Sequence, residues 1–223
     1  FRAWGQILAP QIEICTIELP GRGKRLAEAP LTQLTEVIQT LGPLIQPYLT
    51  GPFSFLGHSL GGLIAFELAQ WLQCRGSQPP VKLWISAARA PHLTSSDPPL
   101  HTQTDAGLLA ELKRYGGTPT AVLSHPELMS LMLPTIRADF CILETYSYQP
   151  QPPLQSQLCA IWGEHDPIVS QADVAAWRSH TAQQFSLQAW PGDHFFVQHP
   201  QFVQYLAKQL QNELWHPHRS LDP

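Results

Sequence analysis

The 223-residue chain is long enough for one large domain or two small ones. With 43% hydrophobic and 13% charged residues it has a globular makeup with a sizeable core, far from the disordered class. Its net charge of −4, from 13 Lys and Arg against 17 Asp and Glu, argues against a nucleic-acid binder, and no apolar run approaches the roughly 18 residues of a membrane span.

Taken in chain order, the first element is a strand over 12–19 (IEICTIEL). A basic loop follows, in which Arg22, Lys24 and Arg25 lie between Glu18 and Glu28, and it reads as a solvated turn. Leu34, Ile38, Leu41 and Ile45 recur at helical steps. A second strand spans 52–56, and a helix then runs from Gly61 through Leu72 to a stop at Gly76. The third strand covers 81–87 (VKLWISA). About seventy residues without a strand pattern come next, bracketed by prolines. They carry one helical signal through Leu108, Leu109 and Leu112, ending at Gly116-Gly117. A second starts at Pro126 and runs through Leu128, Leu131, Met132, Ile136, Phe140 and Leu143. This block, about 95–150, is expected to be a helical lid inserted over one end of a sheet. A fourth strand (158–163), a helix opened by a Ser170–Asp173 capping box, a fifth strand (185–190) and a helix through Phe202, Val203, Leu206 and Leu210 complete the pattern. The segment 215–223 reads as a loose tail, and His216 and His218 in it as solvated.

Strands alternating with helices predict an α/β fold with a doubly wound, mostly parallel sheet, in a single domain over 1–223. Several strands are continuous apolar runs, as expected of a sheet covered on both faces. Cys15, Cys74, Cys141 and Cys159 form no CxxC pair. Buried free thiols in a reducing cytoplasm are the expected state, with neither disulfide nor metal site.

The chemistry is carried by three strand ends. Gly57-His58-Ser59-Leu60-Gly61 is a GxSxG between a strand and a helix, the setting in which a sharp turn lifts a serine hydroxyl above the sheet edge. The strand and helix approach closely there, which calls for small flanks at Gly57 and Gly61. The turn aims the Leu60 backbone N–H at a developing oxyanion. A serine hydroxyl needs an imidazole to take its proton. His194 follows the last strand in Gly192-Asp193-His194-Phe195-Phe196 and is the expected base. Asp166, in Gly163-Glu164-His165-Asp166-Pro167, is the expected orienting acid, ahead of its rivals Glu164 and Asp193. Adjacent side chains diverge, so Asp193 is expected to shape the loop, and His58 to be packed or hydrogen-bonded.

These residues resemble the type II thioesterases that accompany non-ribosomal peptide and polyketide synthases, within the α/β-hydrolase superfamily. The likeness rests on Leu19-Pro20-Gly21-Arg22-Gly23, on Gly57 to Gly62, and on Gly192 to Phe196. Arg89-Ala90-Pro91, Gly116-Gly117-Thr118-Pro119 and Arg137-Ala138-Asp139 are similar to the family's lid region. The resemblance implies hydrolysis of acyl or peptidyl thioesters from the phosphopantetheine arm of carrier proteins, as an editing activity. The partner would be a carrier-protein domain, with no cofactor beyond the arm on the substrate. Leu128, Leu131 and Met132 would line the acyl site, in a cytoplasmic monomer that meets neither nucleic acid nor membrane. Phe1-Arg2-Ala3-Trp4 resembles the helix that follows the family's first strand and glycine-rich loop, so that strand and half of the oxyanion hole are expected to be missing. Two alternatives remain open on the same residues: a carboxylic-ester hydrolase or acyltransferase, and a non-catalytic carrier-protein-binding domain.

Overall fold

Four of the five apolar runs become strands: β1 (Ser54–His58), β2 (Lys82–Ser86), β3 (Gln157–Gly163) and β4 (Phe185–Trp190). The structure, a computed structural model, describes residues 4–8, 12–95 and 97–215. The strands form one sheet in the order β1-β2-β3-β4, and all three pairs are parallel. Successive side chains of a strand point to opposite faces. Leu83, Trp84, Ile85 and Ser86 of β2, and Leu158, Cys159, Ala160 and Ile161 of β3, are nonetheless all buried. The two central strands are therefore covered on both faces, which is why their sequences are apolar runs rather than alternations.

Helices fill the crossovers. The predicted run of helical steps becomes α2 (Leu34–Ile45), which follows the short α1 (Trp4–Leu8) and buries Leu34, Val37, Ile38 and Leu41. α3 (Leu60–Cys74) joins β1 to β2 and gives way at Gly76, whose φ of +65° suits glycine. The inserted block holds α4 (Asp105–Tyr115), α5 (Thr120–Leu123) and α6 (Pro126–Thr145). The Thr104 side chain caps α4 at its start, and Gly116 in the left-handed conformation closes it. Pro126 opens α6 where its missing N–H costs nothing. α7 (Gln171–Ala175) begins with the Ser170–Asp173 capping box and continues as a 3₁₀ turn over Ala176–His180. α8 (Pro200–Trp215) is the last element.

The chain resolves into two compact units, 19–195 and the pair of segments 1–18 with 196–223. In the first, Phe66, Ala65 and Ala69 of α3 pack with Leu83, Ile85, Leu158, Ala160, Val174 and Trp177. In the second, the Phe202 ring lies 6.2 Å from Trp4 and 5.2 Å from Phe196, centroid to centroid.

Two expectations are corrected. Residues 12–19 form no strand, and Ile17 is 47% exposed. A strand exists only through a ladder with a neighbour, which no local pattern supplies, and among the described residues this segment has none. None of the four cysteines forms a disulfide, but only Cys159 is buried; Cys15 and Cys74 are exposed. Cys15 was expected inside a buried strand and loses its cover with that strand. Phe1, Arg2, Ala3, His216, His218 and the tail beyond Trp215 lie outside the described residues.

Candidate active site

Parallel strands in this register bring the carboxyl ends of β1, β3 and β4 to one edge of the sheet, where α/β folds place ligands. Each end carries one expected site residue on the loop that follows it.

Ser59 links β1 to α3 with φ +53° and ψ −121°, a strained conformation for a residue with a side chain. Its N–H donates to the Ser86 carbonyl at 2.8 Å, which ties the turn to β2. Leu60 is the first residue of α3, so its N–H has no partner within the helix and points out of the helix start. A Cβ on Gly57 would overlap the Gly61 carbonyl and lie 2.5 Å from the Gly62 nitrogen, so the strand and helix do need a glycine there. The second expected contact is corrected. A Cβ on Gly61 would meet nothing within 4 Å, whereas one on Gly62 would lie 3.0 Å from Ala88 Cβ and 3.1 Å from Ile85 Cγ2. The tight pair is Gly57 and Gly62; a pattern of alternating glycines does not reveal which of them faces the strand.

Asp166 and His194 meet. His194 Nδ1 lies 2.8 Å from Asp166 Oδ2, with side-chain exposures of 5% and 0%. The other carboxylate oxygen, Oδ1, accepts from the backbone N–H groups of Ile168 at 2.8 Å and Val169 at 3.1 Å. An ionised Asp166 with both oxygens engaged fixes the proton on Nδ1 and leaves Nε2 as the basic atom. The two loops are held together along their backbones: Glu164 N–H donates to the Trp190 carbonyl and His165 N–H to that of Gly192, both at 2.9 Å. Gly163 has no room for a side chain because a Cβ would sit 2.6 Å from the Asp193 carbonyl oxygen. Of the rival acids, Glu164 is exposed, and the Asp193 carboxylate accepts from the Phe195 N–H at 2.9 Å within its own loop.

His58 joins the serine turn to this pair. Its ring centroid lies 5.1 Å from that of His194, and its Nδ1 lies 2.9 Å from Ser86 Oγ. Burial, and then the neighbouring His194, lower its pKa to about 3, so the ring is neutral at physiological pH. Ser86 is a site residue that sequence reasoning missed. It is buried, it also donates to the Gly57 carbonyl at 3.5 Å, and nothing in WISAA distinguishes it from an ordinary strand-end serine.

The inserted block is built differently from the expectation. Leu128 and Leu131 are 36% and 53% exposed, and Met132 is half-buried. The inward face of α6 carries Met129 and Leu133, which pack with Leu108, Leu112 and Leu123. A cavity of about 600 Å³ between α4, α5 and α6 is lined by Leu109, Leu123, Met129 and Leu133, with Asp105 and Arg137 also on its wall. Leu128 and Leu131 do not line it. α6 has apolar residues on two faces, so its period could not choose between them. Arg22 is likewise not a solvated charge: it grips Asp139 of α6 with two hydrogen bonds, at 2.7 and 3.1 Å. Thr135 Oγ1 of α6 donates to the Gly21 carbonyl at 2.7 Å. Arg89 pairs with Asp173 of α7, while Arg137 donates to the His101 and Gln103 carbonyls and to Asp105.

The sequence matches the family described as "Thioesterase domain" over residues 1–212. It is 38% identical over 212 residues to the gramicidin S biosynthesis protein GrsT of Aneurinibacillus migulanus, spanning 94% of this chain and 83% of that protein. Among solved structures it is similar to RedJ, a thioesterase from the prodiginine biosynthetic pathway in Streptomyces coelicolor. That match has a TM-score of 0.88 and 33% identity, and covers 96% of this chain and 84% of RedJ. It is also similar to YbtT, a type II thioesterase from the yersiniabactin NRPS/PKS pathway, with a TM-score of 0.81 and 31% identity over 96% of this chain and 88% of that one.

Proposed function

The chain belongs to the thioesterase domain family, among the type II thioesterases of non-ribosomal peptide and polyketide pathways, and from that premise we propose that it hydrolyses acyl or peptidyl thioesters carried on the phosphopantetheine arm of a carrier protein. The observation that carries the mechanism is the buried Asp166–His194 hydrogen bond at the sheet edge where β1 delivers a serine held at positive φ. Ser59 Oγ attacks the thioester carbonyl while His194 Nε2 takes its proton. Asp166 stabilises the resulting imidazolium. The Leu60 N–H donates to the oxyanion; the Ser59 N–H is already spent on Ser86. The C–S bond breaks, the arm leaves as its thiol with the proton from His194, and the acyl group stays on Ser59. Water, deprotonated by His194, then releases the acid and restores the serine.

No cofactor is required, because the pantetheine arm comes with the substrate. Among the described residues no helix is long and apolar enough to cross a membrane. Four cysteines outside any disulfide suit a reducing compartment, and we place the protein in the cytoplasm as a monomer that meets carrier-protein domains. The test compares acyl-pantetheine with its matched oxygen ester. The parent should prefer the thioester, and Ser59→Ala should lose on the order of 10⁴ or more in kcat with an unchanged Tm. A residual rate within about tenfold of the parent would remove Ser59 from the mechanism. A preference for the oxygen ester would make the protein an esterase.

A further inference from the structure

The loop between α4 and α5 reaches the loop that carries His194. Gly116 ends α4 in the left-handed conformation, with φ +82°, and the next residue, Gly117, lies against the ring of Phe195. A Cβ built on Gly117 would fall inside the van der Waals envelope of Cζ and both Cε atoms of that ring. On its other sides the same ring meets the site. Its centroid is 5.1 Å from that of His194, nearly perpendicular at 80°, and 6.1 Å from that of His58. The Phe195 backbone is tied down by its N–H bond to Asp193, so the ring can yield only by turning. His194 is buried and fixed at Nδ1 by Asp166, so a turning ring presses on an imidazole that cannot simply step aside.

Resting on the serine-hydrolase reading above, we propose that Phe195 and Gly117 are positioning residues: their contact is a latch through which the inserted block sets the alignment of His194. With Gly117 seated on the ring, Phe195 is clamped between the block and the two histidines, and Nε2 is held where a serine hydroxyl can use it. When the block lifts, the ring loses its cover and the base loses its lateral support. Glycine is required because any side chain at 117 would occupy the ring's place. The device makes proton transfer depend on the block being down, which limits turnover while the site stands open to water.

The test reads nucleophile and base alignment with a probe too small to need an acyl pocket, diisopropyl fluorophosphate. The rate of its reaction with Ser59 is measured against pH in the parent, Gly117→Ala, Phe195→Ala and the double variant. Gly117→Ala should label about tenfold to a hundredfold more slowly, as expected of a displacement near 1 Å, and its pH midpoint should move. Phe195→Ala should itself label more slowly than the parent. Adding Gly117→Ala to Phe195→Ala should change the rate less than about twofold, because the clash needs the ring. Partial unfolding would lower the amount labelled and leave the midpoint in place, so that pattern overturns the latch. Labelling of Gly117→Ala at the parent's rate, or an equal slowing with and without the Phe195 ring, also overturns it. A parent that does not label removes the serine reading itself and the latch with it, and that result is distinct from a reactive parent with indifferent variants.

Discussion

At the scale of the residue, the site separates two aspartates in the way that their places on the loops led us to expect. Asp193 is adjacent to His194, yet its carboxylate is exposed and serves the Phe195 N–H. Asp166 is 28 residues away and wholly covered, with one oxygen on His194 and the other on two backbone N–H groups. Removing the Asp166 charge leaves His194 free to adopt the wrong tautomer and leaves its imidazolium unsupported. Asp166→Asn is expected to lower kcat by about 10⁴, whereas Asp193→Asn should cost less than about tenfold. Steady-state kinetics of the two variants decides it, and the reverse order would transfer the orienting role to Asp193. The pair of loops and the residue types were legible in the sequence because each follows a strand end. Ser86 was not, and Phe195 and Gly117 were visible only as members of two separate motifs, since the contacts of a serine, a phenylalanine and a glycine depend on what the fold sets against them.

At the scale of the element, β1 and α3 pack through two glycines, of which sequence identified one. Gly57→Ala would drive a methyl into the α3 backbone, which cannot rotate away, and should cost about 3 kcal/mol or more. Gly61→Ala meets open space in the first turn of a helix and should leave stability unchanged or raise it by up to about 1 kcal/mol. Urea denaturation of both variants measures this, and equal losses would mean that the turn is not packed as described. In α6, Met129→Ala should cost about 2–5 kcal/mol and Leu131→Ala less than about 0.5, since the first is 2% exposed and the second 53%. The expectation that Leu128, Leu131 and Met132 line an acyl site becomes a sharper question. If truncating Met129 or Leu133 alters the ratio of medium-chain to acetyl thioester hydrolysis by about fivefold while Leu131→Ala does not, the cavity between α4, α5 and α6 receives the chain. If none alters the ratio, the acyl group binds outside that cavity.

At the scale of the whole molecule, burial of neutral histidines sets the pH dependence of stability. Burial first, then a neighbouring histidine, holds His58 at about 3 and His180 at about 4; the neighbour of His180 is His92, 2.7 Å from its Nε2. On unfolding both return to about 6.5. Between those values the unfolded chain binds more protons than the folded one, so stability rises with pH. The contribution is complete above about 6.5 and is lost as pH falls toward 4 and then 3. Burial raises the pKa of Glu67, which therefore works in the opposite sense: the folded state takes up its proton first, and the cost of holding that charge is relieved in acid. Asp173 adds to the histidines, because against the opposing effect of burial its hydrogen bonds from Ser170 and the Arg89 guanidinium hold its carboxyl below the usual range, and together these groups set the net direction. The urea midpoint should be lower at pH 4.5 than at pH 7.5, and a midpoint that is flat or rises into acid would show that these rings are not buried neutral.

The sequence by itself determined the α/β alternation, four of the five strands, the places of α2, α3 and α6, and the three strand ends that carry Ser59, Asp166 and His194. These follow from periodicity, capping residues and turn glycines, which act over a few residues and are written locally. Tertiary structure decided whether residues 12–19 become a strand, because a ladder needs a neighbour. It decided which face of α6 turns inward, because two faces are apolar and only contact with α4 and α5 breaks the tie. It decided that Arg22 grips Asp139, 117 positions away, and that Gly117 rests on Phe195, because those partners are brought together by the crossovers of the sheet and by no pattern within either segment.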